Sequence, residues 1–330
     1  PNMPWNGTEL RLLTLRNEDD GTLPYVTSQK TIAGDDTTAI FQPSFSPGGR
    51  FLAYVSDATG YGQIYLYDPV EGTHTQLTSG DYEHGAPAWV QGLRTYGWSA
   101  DGNSIFYIRN EKGFCSLWQV NISDKKTKQL SELDGYTYQY QLDVSEDNRL
   151  TFIASSAQIP PRIVTYGPKE GLKTVHFSTA ERIPQNDLAE VNLLEWPTRD
   201  GQIAYGMYAA PASSTYTSEG KPPLMVLIHG GPTSQRFASY DSDVQFFATR
   251  GYAVLQVNHR GSTGYGKDYM NMHEHNWGIY DVKDSIDGVN YLADQGLIDK
   301  ERVAIMGGSA GGFTVLQSLI DAPGFYKVGV

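Results

Sequence analysis

The feature that most constrains this chain is a unit that recurs through its first half. Pro43 to Val55 reads PSFSPGGRFLAYV, and Tyr96 to Ile108 reads YGWSADGNSIFYI. Residues 1–13, PNMPWNGTELRLL, and a weaker copy from Leu142, LDVSEDNRLTFI, follow the same grammar. Each has a polar tight turn ahead of an apolar strand: Asn6-Gly7, Gly48-Gly49, Asp101-Gly102 or Asp147-Asn148. Gly and Asn suit such turns because they tolerate positive φ. Gly7, Gly49 and Gly102 are 42 and 53 residues apart, and Asn148 follows 46 later. The units continue with a second strand, such as Gln63–Asp68 or Ser116–Asn121, then a short polar turn and TQLT or KQLS. A four-stranded unit of about 40–50 residues has the period of a β-propeller blade. A meander or sandwich would also carry turn signals, but four similar units in register favour the propeller. The first copy starts in mid-blade, so about four blades of a larger ring are expected. Trp5, Trp98 and Trp118 then read as blade packing and Cys115 as an inert strand residue. His74, His84 and His176 are isolated and lack metal-ligand spacing.

After about Ile183 the pattern changes. Val191–Glu195 and Gln202–Tyr208 read as a strand pair around Arg199-Asp200-Gly201, and 213–223 as a polar loop. Strands then alternate with helices: strand Met225–Ile228, helix Asp241–Arg250, strand Tyr252–Val257, helix Tyr280–Ala293, strand Val303–Met306, helix Ala310–Ile320. Such alternation predicts a parallel sheet with right-handed crossovers, and continuous apolar strands fit burial on both faces. The domain expectation is residues 1–183 for the propeller part and 184–330 for the α/β part.

The sharpest motif is Gly307-Gly308-Ser309-Ala310-Gly311, followed by Gly312. It fits G-x-S-x-G between a strand and a helix, the context of a nucleophile elbow. The turn is crowded, so Gly307 and Gly311 must be small, and Ser309 is presented where a helix amino terminus favours negative charge. His229-Gly230-Gly231-Pro232 directly follows the strand MVLI. A tetrahedral acyl-transfer intermediate needs preorganised donors for its oxyanion. The expected donors are the N–H of Gly231, or of Gly230, and that of Ala310. His229 reads as a structural side chain at the base of this loop. Asn258 to Gly266, NHRGSTGYG, lacks the G-x-G-x-x-G spacing and reads as a pocket-shaping loop, not a cofactor site. His273 and His275 flank Glu274 without the i, i+4 spacing of a zinc site and read as solvated loop histidines.

With 25 Lys plus Arg against 37 Asp plus Glu, the net charge of -12 argues against nucleic acid or an anionic membrane as partner. The one cysteine cannot form an internal disulfide. No apolar run reaches the roughly 18 residues of a spanning helix. Pro1 does not open a signal-like segment, and a cytoplasmic location is favoured, with the N-terminus read as missing.

Propeller repeats followed in order by HGGP, NHRGSTGYG and GGSAGGF resemble the prolyl oligopeptidase family of serine peptidases, nearest its acylaminoacyl-peptidase and dipeptidyl-aminopeptidase-like branch. The resemblance covers the whole chain. It implies a propeller set over an α/β-hydrolase domain with the active site between them, and hydrolysis of short peptides without metal or organic cofactor. By motif match it makes Ser309 the nucleophile and Gly231 and Ala310 the oxyanion donors. In α/β-hydrolases the order is Ser, then Asp or Glu, then His. No Asp or His here fits those places. Asp281, Asp284 and Asp287 lie on the helix before the elbow, and KVGV (Lys327–Val330) reads as the start of a further strand. The expectation is a piece of a longer enzyme, a partial propeller followed by an α/β-hydrolase domain truncated after the elbow, with the general base beyond Val330. The rivals are an esterase on the same fold and a catalytically dead propeller-hydrolase binding protein. Oligomeric state is not legible.

Overall fold

The structure is a computed structural model and describes residues 2–17, 23–217 and 219–330. It opens with an antiparallel pair, β1 (Leu10–Arg16) and β2 (Tyr25–Ala33). Three four-stranded antiparallel sheets follow. The first holds β3 (Ile40–Phe45), β4 (Leu52–Ser56), β5 (Gln63–Asp68) and β6 (Thr73–Gln76). The second holds β7 (Tyr96–Trp98), β8 (Ser104–Glu111), β9 (Phe114–Asn121) and β10 (Thr127–Gln129). The third holds β11 (Tyr138–Val144), β12 (Leu150–Ser156), β13 (Ile159–Gly167) and β14 (Gly171–Phe177). Each is an up-and-down sheet whose strands neighbour in chain order. These are propeller blades.

The blades stack because their middle strands are apolar on both faces. In β8, Ile105 and Tyr107 pack with Ala53, Val55 and Ile64 of the preceding blade. The alternate residues, Phe106 and Ile108, pack with Leu142, Leu150 and Phe152 of the next. That is the period-2 alternation of a strand feeding two interfaces. The turns joining first to second strands share one geometry. Gly49, Gly102 and Asn148 all have φ between 58° and 70°, and each donates its N–H back to Ser46, Ser99 or Ser145.

Residues 1–13 do not repeat that turn. Gly7 is not left-handed; it is small because a Cβ there would lie 2.3 Å from the Asp36 carbonyl carbon. β1 and β2 run directly into the next blade and so occupy the places of third and fourth strands. The resemblance of Asn6-Gly7 to the blade turns is therefore local composition, not register.

The second sheet type has six strands in the order β15 (Asn192–Pro197), β16 (Ile203–Ala209), β18 (Ala253–Asn258), β17 (Leu224–Ile228), β19 (Val303–Gly307), β20 (Val328–Gly329). β15, β16 and β18 pair antiparallel in turn, whereas β17 lies parallel between β18 and β19, and β20 adds to β19 in parallel. The helices are α1 (Ser242–Ala248), α2 (Lys267–Asn271), α3 (Tyr280–Asp294) and α4 (Ala310–Asp321). Val226, Ile228, Leu255 and Ile305 face Val289 and Leu292 of α3 and Val315 of α4. Met225, Leu227 and Val254 face Val244 and Ala248 of α1 on the other side. Both faces are covered, which is why these strands are continuous apolar runs. Asp241 caps α1, its carboxylate accepting from the N–H of Asp243 and Val244. The short α2 was not expected. The architecture is a partial β-propeller followed by the sheet and crossovers of an α/β-hydrolase domain. No helix among the described residues is long and apolar enough to cross a membrane.

Candidate active site

β19 ends at Gly307 and α4 begins at Ala310, so the chain reverses over two residues. Ser309 takes up the reversal with φ 55° and ψ -123°, a conformation few side-chain-bearing residues adopt. A Cβ on Gly307 would lie 2.7 Å from the backbone of Gly311, and one on Gly311 would lie 2.6 Å from the carbonyl oxygen of Ile228. Both positions therefore require glycine. Ser309 is exposed, and among the described residues its hydroxyl has no hydrogen-bond partner.

Ile228 pairs in register with Gly307, so the loop leaving β17 emerges beside the elbow. A Cβ on Gly230 would come 3.2 Å from the Cβ of Ser309 and 3.0 Å from the carbonyl oxygen of Gly308. Gly231 has φ 127°, and a Cβ there would lie 2.8 Å from the nitrogen of Thr233. Among the described residues, the backbone N–H groups of Gly230, Gly231 and Ala310 are bonded to nothing. An exposed hydroxyl thus stands next to unspent donors, the arrangement that oxyanion stabilisation requires.

The loop is held from behind. His229 is buried, with Nδ1 2.8 Å from the Gly230 carbonyl and Nε2 2.8 Å from the Ser262 hydroxyl. A carbonyl can only accept, so Nδ1 carries the proton and Nε2 accepts from Ser262. Burial, then the His259 ring stacked 4.7 Å away, hold the pKa of His229 well below its ordinary value. His229 is a neutral strut, as the sequence reading has it.

The NHRG segment is a second layer of support. Asn258 grips Arg236 with both ends of its amide, at 2.6 and 3.0 Å. Arg260 is buried and bidentate to Asp284 of α3 at 2.7 and 3.1 Å, reaches Asp200 of the β15–β16 turn at 2.7 Å, and lies over the Tyr280 ring. Asp287 pairs with Arg199 at 2.8 Å, and Asp281 accepts from Thr314 at 2.5 Å. The three helical aspartates are thus occupied in joining α3 to its neighbours. Among the described residues no group of three or more His, Cys, Asp or Glu could hold a metal.

Two expectations need correction. His273 is not solvated: it is buried, donates from Nδ1 to the Arg260 carbonyl at 2.8 Å, and packs edge-on to Trp277 at 4.4 Å. Gly261 makes the room, since a Cβ there would lie 2.3 Å from that of His273. His275 is exposed. Trp5 is not blade packing. Trp98 is buried and Trp118 half-buried in the inter-blade core, but Trp5 precedes β1, outside any strand, and crosses to the seam. There it packs against Trp89, the rings tilted by 39° with centroids 4.4 Å apart, and lines a cavity of about 670 Å³ shared with Gly231, Pro232 and Trp277. Sequence reasoning missed Trp89, because its importance lies in a partner 144 residues away.

The seam between the two domains is stitched by polar contacts. Lys267 pairs with Asp57 at 2.7 Å, its N–H donates to the Gly60 carbonyl at 2.8 Å, and the Tyr61 hydroxyl donates to the Tyr265 carbonyl at 3.3 Å.

Residues 238–330 match the family described as "Prolyl oligopeptidase family", and residues 19–161 match "Dipeptidyl peptidase IV (DPP IV) N-terminal region". The chain is 35% identical over 189 residues to dipeptidyl aminopeptidase BIII of Pseudoxanthomonas mexicana, covering 56% of this chain and 27% of that protein. It is 24% identical over 341 residues to acylamino-acid-releasing enzyme 1 of Oryza sativa subsp. japonica, covering 91% of this chain and 43% of that protein. A crystal structure of puromycin hydrolase superposes with a TM-score of 0.90 at 31% identity, covering 100% of this chain and 49% of that one. The chain thus spans less than half the length of these relatives. A propeller match, a hydrolase match and an elbow beside a glycine loop converge: residues 238–330 match the prolyl oligopeptidase family, and the chain as a whole is similar to peptidases of the propeller-plus-hydrolase type.

Proposed function

We propose that the protein is a serine peptidase that cleaves short peptides through an acyl-enzyme on Ser309. The observation that supports this reading is the exposed Ser309 hydroxyl, held in a left-handed elbow against Gly230 of a loop whose Gly230 and Gly231 N–H groups, like that of Ala310, are unspent. In this reading the Ser309 oxygen attacks the scissile carbonyl and its proton passes to a histidine base. The base then protonates the departing amine, and water releases the acyl group. The carbonyl oxygen becomes the oxyanion that the N–H of Gly231, or of Gly230, stabilises together with that of Ala310. Gly307 and Gly311 keep the elbow tight.

Among the described residues no histidine is hydrogen-bonded to the Ser309 hydroxyl, and His229, His259 and His273 are buried behind the loops, with the Nε2 of His229 already bonded to Ser262. The family order places acid and base after the nucleophile, in the part of the relatives that these residues do not cover. We take 1–183 and 184–330 as the two domains, with peptides entering at the seam between them. The printed names of the relatives, a dipeptidyl aminopeptidase and acylamino-acid-releasing enzymes, support a peptide substrate, as does a solved puromycin hydrolase complexed with PGG. No metal or organic cofactor takes part in this chemistry.

The test is turnover of a panel of aminoacyl and N-acyl peptides by the polypeptide that carries these residues at the length of its relatives. Ser309→Ala is expected to remove all but the residual turnover due to binding and the oxyanion site, while leaving the fold intact. Full turnover in a folded Ser309→Ala protein would exclude the reading. Ester turnover without peptide turnover would favour the esterase, and neither activity in wild type would favour a binding protein.

A further inference from the structure

The segment that leaves the oxyanion loop is held from both sides of the seam: on the hydrolase side the Thr263 N–H donates to the Ser234 carbonyl at 2.9 Å, Asn258 holds Arg236, and Ala238 is buried in the core. From Thr233 to Tyr240 it runs along the propeller and is bonded to it repeatedly. The Asn110 amide donates to Gln235 at 3.2 Å, the Ala238 N–H donates to the Gly113 carbonyl at 2.9 Å, and the Tyr240 N–H donates to the Ser155 hydroxyl at 3.0 Å. Nearest the glycines stands Trp89, on the connection between β6 and β7. Its indole N–H donates to the Thr233 carbonyl at 2.8 Å, and its ring rests on Trp5, also from the propeller side. Among the described residues no other donor reaches that carbonyl. Thr233 is two residues beyond Gly231, in a turn closed by the Ser234 N–H on the Pro232 carbonyl at 2.8 Å.

We infer that Trp89 is a positioning residue for the oxyanion hole, so that the propeller fixes the loop supplying the hole's donors as well as covering the site. The physical reason is leverage. Gly230 and Gly231 have no side chains to lock them, and glycine is the most conformationally free residue. The hole's geometry therefore depends on what grips either end of the loop. His229 grips the start from within the hydrolase domain, and Trp89 grips the far end from the propeller. An oxyanion donor contributes to rate only when it is aimed before the charge develops. Seating of the propeller and competence of the hole are thus coupled, most directly through the hydrogen bond from Trp89 to Thr233. This inference rests on the reading of Ser309 and Gly231 given above.

The experiment compares wild type with Trp89→Phe, which keeps a smaller aromatic ring against Trp5 and removes the N–H donor, in the polypeptide at the length of its relatives. The readouts are kcat, KM, the affinity of a peptidyl aldehyde and labelling of Ser309 by a fluorophosphonate. The aldehyde carbon bonds to the Ser309 oxygen, the serine proton passes to the base, and the former carbonyl oxygen occupies the oxyanion hole. Loss of one neutral hydrogen bond is expected to lower kcat by about 3–10-fold. KM should stay within about twofold, and aldehyde affinity should fall by the same factor as kcat. Val90→Ala, on the same connection but exposed, should leave all four readouts unchanged. If wild type labels at Ser309 while Trp89→Phe keeps its kcat and aldehyde affinity, or raises KM alone, the role of Trp89 is wrong and the site stands. If wild type does not label at Ser309, the reading of the site falls and this inference falls with it.

Discussion

At the scale of single residues, the site consists of groups that are small or absent. Gly230 lets the loop backbone approach Ser309, and Gly307 and Gly311 let the elbow close on itself. These were legible in the sequence because the requirement is local: a tight strand-to-helix turn tolerates only small neighbours, and GGSAGG shows them in order. Gly231 tests the loop's role. Valine there meets both a φ of 127° and the Thr233 nitrogen 2.8 Å from its Cβ, so the loop must turn its N–H away. Gly231→Val is expected to lower kcat by about 10²–10³ with a smaller change in KM, the loss typical of one oxyanion donor. Steady-state kinetics on the folded variant check this, and an unchanged kcat would remove Gly231 from the hole. Trp5 and Trp89 could not be read in the same way. A tryptophan in a sequence signals packing, and only the fold shows that these two pack at a seam.

At the scale of elements, the loops around the elbow are rigid because charged groups behind them are buried and paired. Arg260 joins the end of β18 to α3 through Asp284 and to the β15–β16 turn through Asp200. The hydrogen bond from Arg260 holds the carboxyl of Asp200 down to about 2. The sequence reading had NHRGSTGYG as a pocket-shaping loop. The structure adds that its polar residues face inward as braces: Asn258 on Arg236, Ser262 on His229, Arg260 on two aspartates. Arg260→Ala would leave Asp284, which is 0% exposed, as an uncompensated buried charge. Breaking such a pair typically costs about 3–5 kcal/mol. Urea unfolding is expected to show a loss of that order, and Arg260→Met with Asp284→Leu is expected to recover part of it. A single-variant loss below about 1 kcal/mol would mean that the pair does not brace the loop. The strands were legible because two-sided burial leaves apolar runs. The place of β1 and β2 was not, since a polar turn before a strand carries no record of which strand of a blade follows.

At the scale of the whole molecule, the propeller and the hydrolase meet across a seam with a carboxyl inside it. Glu83, before β7, accepts from the Gly62 N–H at 2.7 Å and borders a cavity of about 110 Å³ that also touches Gly266 and Lys267. Burial, opposed by the hydrogen bond from Gly62, raises its pKa from 4.5 to about 7. A carboxyl whose pKa is raised by folding binds its proton more tightly in the folded state. Stability from this group is therefore full below about pH 4.5, declines as pH rises to about 7, and is flat above. Glu83→Gln keeps an acceptor for Gly62 and cannot ionise. It is expected to be more stable than wild type at pH 8, by on the order of 1–3 kcal/mol, and close to wild type at pH 4.5. Thermal melts at the two pH values check this, and an equal offset at both would mean that Glu83 is not a strained carboxylate at neutral pH.

The central claim is that the two domains together form a peptidase site whose nucleophile is Ser309. Its most direct test is treatment of the polypeptide, at the length of its relatives, with a fluorophosphonate, followed by peptide mapping of the modified residue. The account expects one label per chain, on Ser309, with loss of peptide turnover in proportion to labelling. Labelling at a different serine, or full turnover after Ser309 is modified, would contradict it.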